Sequence, residues 1–200
     1  MKINLGRKLY SVPEAYWILY KGLCTVKHLF KAKRSRELNP DFIERIMLAV
    51  TEVNGCAICS YAHTKMALEA GMSNEEIQNM LSGVFDNVPT EEMAAIMFAQ
   101  HYADCRGNPS QESWEQIVEL YSSSKAKGIL GAIRMIMIGN TYGIPWSSFF
   151  NRFKGKPDER SNVLYEISMI TASIVFTPIA IVHALISKLF RVPIISFERR

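Results

Sequence analysis

The sequence predicts an all-α protein, and the spacing of its apolar residues is the main reason. Most apolar runs recur at intervals of three and four residues, as they do on one face of a helix. The apolar–polar alternation of a half-buried strand is absent over useful lengths, and Gly and Pro stand mainly at breaks between runs. The chain has 200 residues, 48% of them hydrophobic, which suffices for one helical domain with its own core.

Helix-start and helix-stop residues place the individual helices. Pro40 after Asn39 is typical of a first turn, Gly71 of a helix end, and Ser73 with Glu76 of a capping box. We expect Pro145 to end a helical region and residues 149–162 to form a basic loop. The predicted helices cover about 13–30, 40–53, 56–70, 74–83, 90–104, 111–122, 128–139 and 163–189.

The stretch from Asn54 to His63 is the most informative for function, because it holds two of the four cysteines and one of the four histidines. Cys56, Cys59 and His63 are spaced i, i+3, i+7, within roughly 60° of one another on a helical face. Asn54-Gly55 breaks the preceding helix, so Cys56 is expected to open the next one, where unpaired N–H groups and the helix dipole favour a thiolate. His63 can give or take a proton there. The pattern indicates thiol–disulfide redox chemistry.

Composition excludes several other classes. The net charge of +4 is small, and its densest basic patch, residues 31–36, is short, so nothing indicates a nucleic-acid partner. Four cysteines in 200 residues do not make a disulfide scaffold, and the first residues lack the apolar run of a signal peptide. We therefore expect a cytoplasmic, reducing setting, in which a Cys-x-x-Cys pair is more often catalytic or metal-binding than structural.

One carboxylate extends the pattern: Glu44 stands eleven residues before Cys56. The arrangement E-x(11)-C-x-x-C-x-x-x-H resembles that of the alkylhydroperoxidase D-like proteins, which belong to the carboxymuconolactone decarboxylase superfamily. The neighbouring residues are also similar: Asn-Gly before the first cysteine, His63-Thr64 after the second, and then Ala-Gly-Met-Ser at 70–73. The resemblance covers roughly residues 40–103, and a weaker similarity extends to about residue 140.

The resemblance implies an alkylhydroperoxidase D-like helical bundle with a CxxC-bearing helix, assembled as a homo-oligomer. It implies thiol peroxidase activity, with Cys59 attacking a hydroperoxide, Cys56 resolving the product, and Glu44 with His63 forming a proton relay. It further implies an external dithiol reductant, thioredoxin-like or lipoyl-bearing, with no metal or cofactor. Decarboxylase members generally lack the cysteine pair, which argues against decarboxylation.

Several alternatives stay open at this point. Cys56 and Cys59 could be buried packing residues, or zinc ligands together with His101 and Cys105. The pair could instead sense redox state in a helical oligomer without turnover. Cys24 is most simply a lone buried thiol. The same holds for Cys105 if it binds no zinc.

The partner of His63 is also open. Glu44 could be a surface carboxylate paired with Arg45 or Lys65, and Glu52 competes with it because it lies only four residues before Cys56. His63 itself could be a solvated helix residue. Tyr61 could line a pocket, although packing is the simpler role.

The C-terminal part is unusually apolar. We expect residues 1–162 to form the domain and 163–200 an apolar helical extension, packed on the same domain or in an oligomer interface. Residues 167–187 carry no formal charge, a length that could span a bilayer with Lys188 and Arg191 at one end. Polar side chains along the run and a proline favour two buried or interfacial helical pieces meeting near Thr177-Pro178, with membrane attachment as the alternative.

Overall fold

The computed structural model describes residues 9–197, and in that part of the chain it consists of α-helices with no strand. The prediction of an all-α fold is therefore confirmed. The helices are α1 (Val12–Arg34), α2 (Pro40–Asn54), α3 (Ala57–Glu69), α4 (Asn74–Leu81), α5 (Thr90–Asp104), α6 (Gln111–Arg152) and α7 (Val163–Leu189).

Helix α2 is enclosed by its neighbours, since it contacts α3, α4, α5 and α6. Nine of its 15 residues are buried, and Ile46, Leu48 and Val50 have no exposed surface. Burying such aliphatic side chains contributes about 1.5–3 kcal/mol each. The long helices α1 and α6 lie against each other. Buried residues of α1, α2, α5 and α6 belong to one hydrophobic core.

Arg45 links α2 to α4 and α5 through buried ion pairs. Its Nε donates to Glu76 Oε1 at 2.6 Å, and its Nη1 donates to Asp41 Oδ2 at 2.7 Å and Glu92 Oε2 at 3.0 Å. Burial disfavours the cation, but the bonds to Glu76 and Asp41 outweigh it and raise the pKa of Arg45. The predicted capping box is half formed: Ser73 Oγ accepts from the Glu76 N–H at 3.1 Å, while the Glu76 carboxylate turns to Arg45.

Helix α6 spans both helices that the sequence predicts within residues 111–139, and it differs from the prediction at its C-terminal end. Its path is broken at Ser122 (φ 67°, ψ 157°), where the first of the two predicted helices ends. The second continues past the expected stop at Pro145 to Arg152, so the prediction of a helix end there is wrong. A proline inside a helix costs about 3 kcal/mol, but Pro145 is buried, and packing of the surrounding turns outweighs that cost.

Helix α7 is one continuous helix, so the expected junction of two pieces near Thr177-Pro178 is wrong. Met169 and Ala172 before the proline and Ala180 after it are buried. Because α7 docks on α1 and α6 on both sides of Pro178, the loss of one backbone hydrogen bond does not split the helix.

The remaining surface of α7 is exposed and apolar. Its most apolar 18-residue stretch has a mean hydropathy of 2.1, and only 17% of that stretch is buried, so by length and composition α7 is a candidate membrane span. A core helix of a soluble protein can have the same length and composition, but such a helix is mostly buried. Burial of the whole run within one chain is excluded, while the subunit interface expected from the sequence stays a prediction.

Glu166 fixes the loop of residues 153–162 that joins α6 to α7. Its side chain has no exposed surface, and its Oε1 accepts hydrogen bonds at 2.6 Å from Arg152 Nη2, Ser148 Oγ and Ser161 Oγ. The hydrogen bond from Arg152 is the main cause that lowers the pKa of Glu166 from 4.5 to about 2. Burial opposes this shift, and the hydrogen bonds from the two hydroxyls add to it.

We predict that Glu166→Gln lowers the free energy of unfolding at pH 7 by about 2 kcal/mol, since it removes the buried negative charge to which these groups donate hydrogen bonds. The folded pKa is below the ordinary value, so the ionised carboxylate stabilises the fold fully above about pH 4.5. That contribution is lost as the pH falls from 4.5 towards 2. Urea unfolding of both proteins across this range measures the difference.

Glu159→Gln is the matched control, because Glu159 is an exposed carboxylate of the same loop. It should leave stability within about 0.5 kcal/mol of the wild type. A Glu166→Gln penalty that stays constant from pH 7 to pH 3 would contradict the assigned pKa.

Candidate redox site

The two cysteines of the Asn54–His63 stretch are joined by a disulfide at the start of α3. Gly55 adopts a left-handed conformation (φ 64°, ψ 45°) that ends α2, and Cys56 is the N-cap of α3, as the sequence predicted. Cys56 and Cys59 are disulfide-bonded with their Cα atoms 5.3 Å apart, and the Cys59 N–H donates to Cys56 Sγ at 3.4 Å. Cys56 has no exposed surface and Cys59 is 8% exposed.

Glu44 and His63 form the second pair of the site. His63 Nδ1 and Glu44 Oε2 are 2.7 Å apart, and the two side chains are only 14% and 7% exposed. When the carboxylate is ionised, the Nδ1–H group donates a hydrogen bond to Glu44, and Nε2 takes no part in that bond. The pair joins α2 to α3, so neither group is the solvated surface residue that the sequence left open.

The two pairs meet on α3, where Cys59 of the first pair and His63 of the second are about one helical turn apart. Cys59 and His63 are four residues apart in α3, a separation that puts their Cβ atoms about 5–6 Å apart on one face. The arrangement therefore places the Cys59 side chain on the same helix face as an imidazole whose Nδ1 is held by a buried carboxylate.

The competing partners for these residues are engaged elsewhere. Glu52 Oε2 accepts a hydrogen bond from Gln100 Nε2 at 3.2 Å, which turns it towards α5. Lys65 pairs with Glu69 one turn further along α3, with Lys65 Nζ and Glu69 Oε1 3.9 Å apart. Arg45 binds the carboxylates of α4 and α5. Glu44, rather than Glu52, is therefore the carboxylate that meets His63.

The alternative zinc site is not assembled by the described residues. Cys56 and Cys59 are joined to each other, and no group of three His, Cys, Asp or Glu side chains within residues 9–197 could hold a metal ion. Tyr61 is 78% exposed, so the packing role that was the simpler expectation is wrong. Cys24 and Cys105 are half-buried free thiols, and burial raises the pKa of each.

Two residues of the site were not recognised from the sequence. Gly143 of α6 lies against the disulfide: a Cβ at this position would be 3.3 Å from Cys59 Sγ and 3.5 Å from Cys56 Sγ. A larger residue would press on both sulfur atoms. A glycine inside an apolar helix was the only signal, and such a glycine is compatible with many roles.

Arg160 is the second, and it holds the turn that precedes Cys56. Its Nη1 donates to the Asn54 carbonyl oxygen at 3.0 Å and its Nη2 to the Gly55 carbonyl oxygen at 2.9 Å. Tyr10 Oη donates to Asn54 Oδ1 at 2.8 Å from the other side. These contacts come from segments more than 40 residues away, so no local sequence pattern indicates them.

Comparison with known proteins agrees with the motif. Residues 24–104 match the model of the carboxymuconolactone decarboxylase family, and this range contains Glu44, Cys56, Cys59 and His63. No curated protein matched the chain, and neither did any solved structure. Residues 24–104 of the chain are therefore similar to the carboxymuconolactone decarboxylase family, as the resemblance to alkylhydroperoxidase D-like proteins predicted.

Proposed function

We propose that this protein is a thiol-dependent hydroperoxidase that reduces a hydroperoxide through a Cys56–Cys59 dithiol–disulfide cycle. The family that residues 24–104 match includes both alkylhydroperoxidases and decarboxylases. The observation that carries the proposal is the buried Glu44–His63 pair, 2.7 Å apart, one helical turn from Cys59. A structural disulfide needs no such proton-handling pair beside it, whereas peroxide reduction does.

In the first step, the Cys59 thiolate attacks the terminal oxygen of the hydroperoxide. The S–O bond forms as the O–O bond breaks, Cys59 becomes a sulfenic acid, and the alkoxide that leaves takes a proton to become an alcohol. His63 supports both halves of this step: it accepts the proton of the Cys59 thiol and then returns it to the leaving oxygen.

In the second step, the Cys56 sulfur attacks Cys59. The S–S bond forms and the sulfenic oxygen leaves as water, taking the proton of the Cys56 thiol. The two thiols together supply the two electrons that the hydroperoxide accepts. The disulfide described above corresponds to the oxidised end of this cycle.

Glu44 has a positioning and electrostatic part in the proposal. A buried carboxylate at Nδ1 holds one imidazole tautomer, turns Nε2 towards the helix face of Cys59 and stabilises the imidazolium that forms during proton transfer. Because Glu44 is almost fully buried, it has little water to compete with this interaction.

The exposure of the two cysteines supports the assignment of Cys59 as the attacking residue. A peroxide arrives from solvent, and Cys56 is fully buried whereas 8% of the surface of Cys59 is exposed, so Cys59 is the more accessible residue of the two. The N-cap position of Cys56, next to the unpaired N–H groups of α3, suits the resolving thiol because it favours a thiolate there.

The cycle needs an external dithiol to reduce the disulfide, and we propose a thioredoxin-like or lipoyl-bearing protein in a reducing compartment such as the cytoplasm. A homo-oligomer is part of the same proposal. Light scattering that gives a monomer at micromolar concentration would remove the oligomer from it without affecting the chemistry.

We predict that Cys59→Ser abolishes turnover of cumene hydroperoxide with a dithiol reductant, since it removes the nucleophile. Cys56→Ser should stop turnover after one event, leaving a Cys59 sulfenic acid that dimedone traps and intact-protein mass spectrometry detects. Cys105→Ser is the control and should keep wild-type turnover, because Cys105 is a half-buried free thiol outside the site.

The opposite pattern would contradict these roles. A dimedone adduct on Cys56 in the Cys59→Ser variant would make Cys56 the attacking cysteine and Cys59 the resolving one. Reversible oxidation of the wild type without any turnover would instead support the redox sensor that the sequence left open.

We predict that His63→Gln and Glu44→Gln each lower the second-order rate constant for hydroperoxide reduction by about 10²-fold, the usual size of general acid–base assistance. Glu52→Gln is the matched control, since Glu52 is a nearby carboxylate of the same helix that binds Gln100 and not His63. Stopped-flow kinetics of the reduced proteins measures the rate constants. Rates in the Glu44 and His63 variants equal to that of Glu52→Gln would refute the relay.

A further inference from the structure

A cavity of about 470 Å³ lies between α1, the C-terminal end of α7 and the segment that follows α7. Its volume is within the range of about 300–1,000 Å³ that is usual for small-molecule sites. None of the four candidate redox residues lines it, so the proposed peroxidase chemistry does not account for this cavity.

Aliphatic side chains from all three segments supply much of the wall. They include Leu23 of α1, Ile181 and Leu185 of α7, and Val192 and Ile194 beyond it. Ile181 and Leu185 are 44% and 62% exposed, so a hydrocarbon chain placed against them would remove apolar surface from water. The wall therefore suits an aliphatic chain better than a polar metabolite.

The charged residues of the cavity all have the same sign. Lys27 of α1, Lys188 of α7 and Arg191 of the following segment line it together with Lys21, and no Asp or Glu is among the described lining residues. Lys21 is engaged with the Gly107 carbonyl oxygen and Asn108 Oδ1. The cavity thus combines an apolar wall with a concentration of positive charge, which attracts anions.

We propose that this cavity binds an amphipathic anion with a single aliphatic chain, such as a fatty acid or a phosphate monoester of a long-chain alcohol. The chain lies against Leu23, Ile181 and Leu185, and the carboxylate or phosphate lies near Lys27, Lys188 and Arg191. Guanidinium and ammonium groups both donate to either head group, and this shared chemistry defines the ligand class.

The test is isothermal titration of the full-length protein with four probes. Dodecanoate and dodecyl phosphate carry both the chain and the negative charge and should bind saturably, and their relative affinities distinguish a carboxylate site from a phosphate site. Dodecyltrimethylammonium has the same chain with the opposite charge and should bind at least about tenfold more weakly. Inorganic phosphate has the charge without the chain and should show no saturable binding.

Two variants test the two halves of the site. The double variant Lys188→Gln/Arg191→Gln should weaken binding of dodecanoate at least about fivefold. Val192→Trp keeps the cations but fills part of the volume, and it should weaken binding of both anionic probes. Val192 lies outside the helices and is 50% exposed, which makes a large side chain easier to accommodate there. Lys154→Gln/Lys156→Gln, in the exposed loop before α7, is the matched charge control and should bind like the wild type.

Equal binding of dodecanoate and dodecyltrimethylammonium would overturn the proposal, as would unchanged affinity in both variants or no saturable binding by the wild type. Sedimentation with phosphatidylglycerol vesicles, without binding of monomeric dodecanoate, would also overturn it, because the exposed face of α7 would then dock on a bilayer rather than the cavity holding one molecule. A Val192→Trp protein with an altered circular dichroism spectrum is replaced by Leu23→Trp, judged by the same criterion.

Discussion

The structure depends on the pairing of two adjacent charges in the buried helix α2. Glu44 and Arg45 are 5% and 7% exposed, and a charge at that depth is costly unless it is paired and hydrogen-bonded. Neighbouring side chains on a helix point about 100° apart, so the two charges need partners on different neighbours. Arg45 meets the carboxylates of α4 and α5, while Glu44 meets His63 of α3. These pairs fix three helices around α2.

The same constraint places the chemistry. Because Glu44 must be paired, α3 is held with His63 facing α2, and Cys59 one turn earlier lies on that side. The start of α3 is held independently by Arg160 and Tyr10, which bind the turn at Asn54. Gly143 leaves room for the two sulfur atoms against α6. Support from several distant segments is what keeps a reactive pair in one geometry.

Much of this site could be predicted from the sequence, because helical periodicity and the motif both act over short distances. The helix break at Asn54-Gly55 and the start of the next helix at Cys56 were expected, and the resemblance implied the pairing of Glu44 with His63. Arg160 and Gly143 could not be found, since their contacts join residues far apart in the chain. Pro145 and Pro178 misled the prediction because tertiary packing outweighs a local penalty of about 3 kcal/mol.

The central claim is that the Cys56–Cys59 pair passes two electrons to a hydroperoxide. A single-turnover experiment without added reductant tests it most directly: the fully reduced protein is mixed with excess cumene hydroperoxide, and peroxide loss and protein mass are followed together. The account predicts one hydroperoxide consumed for each Cys56–Cys59 disulfide formed, with one alcohol released. Disulfide formation without matching loss of hydroperoxide, or peroxide loss with both thiols still reduced, would contradict it.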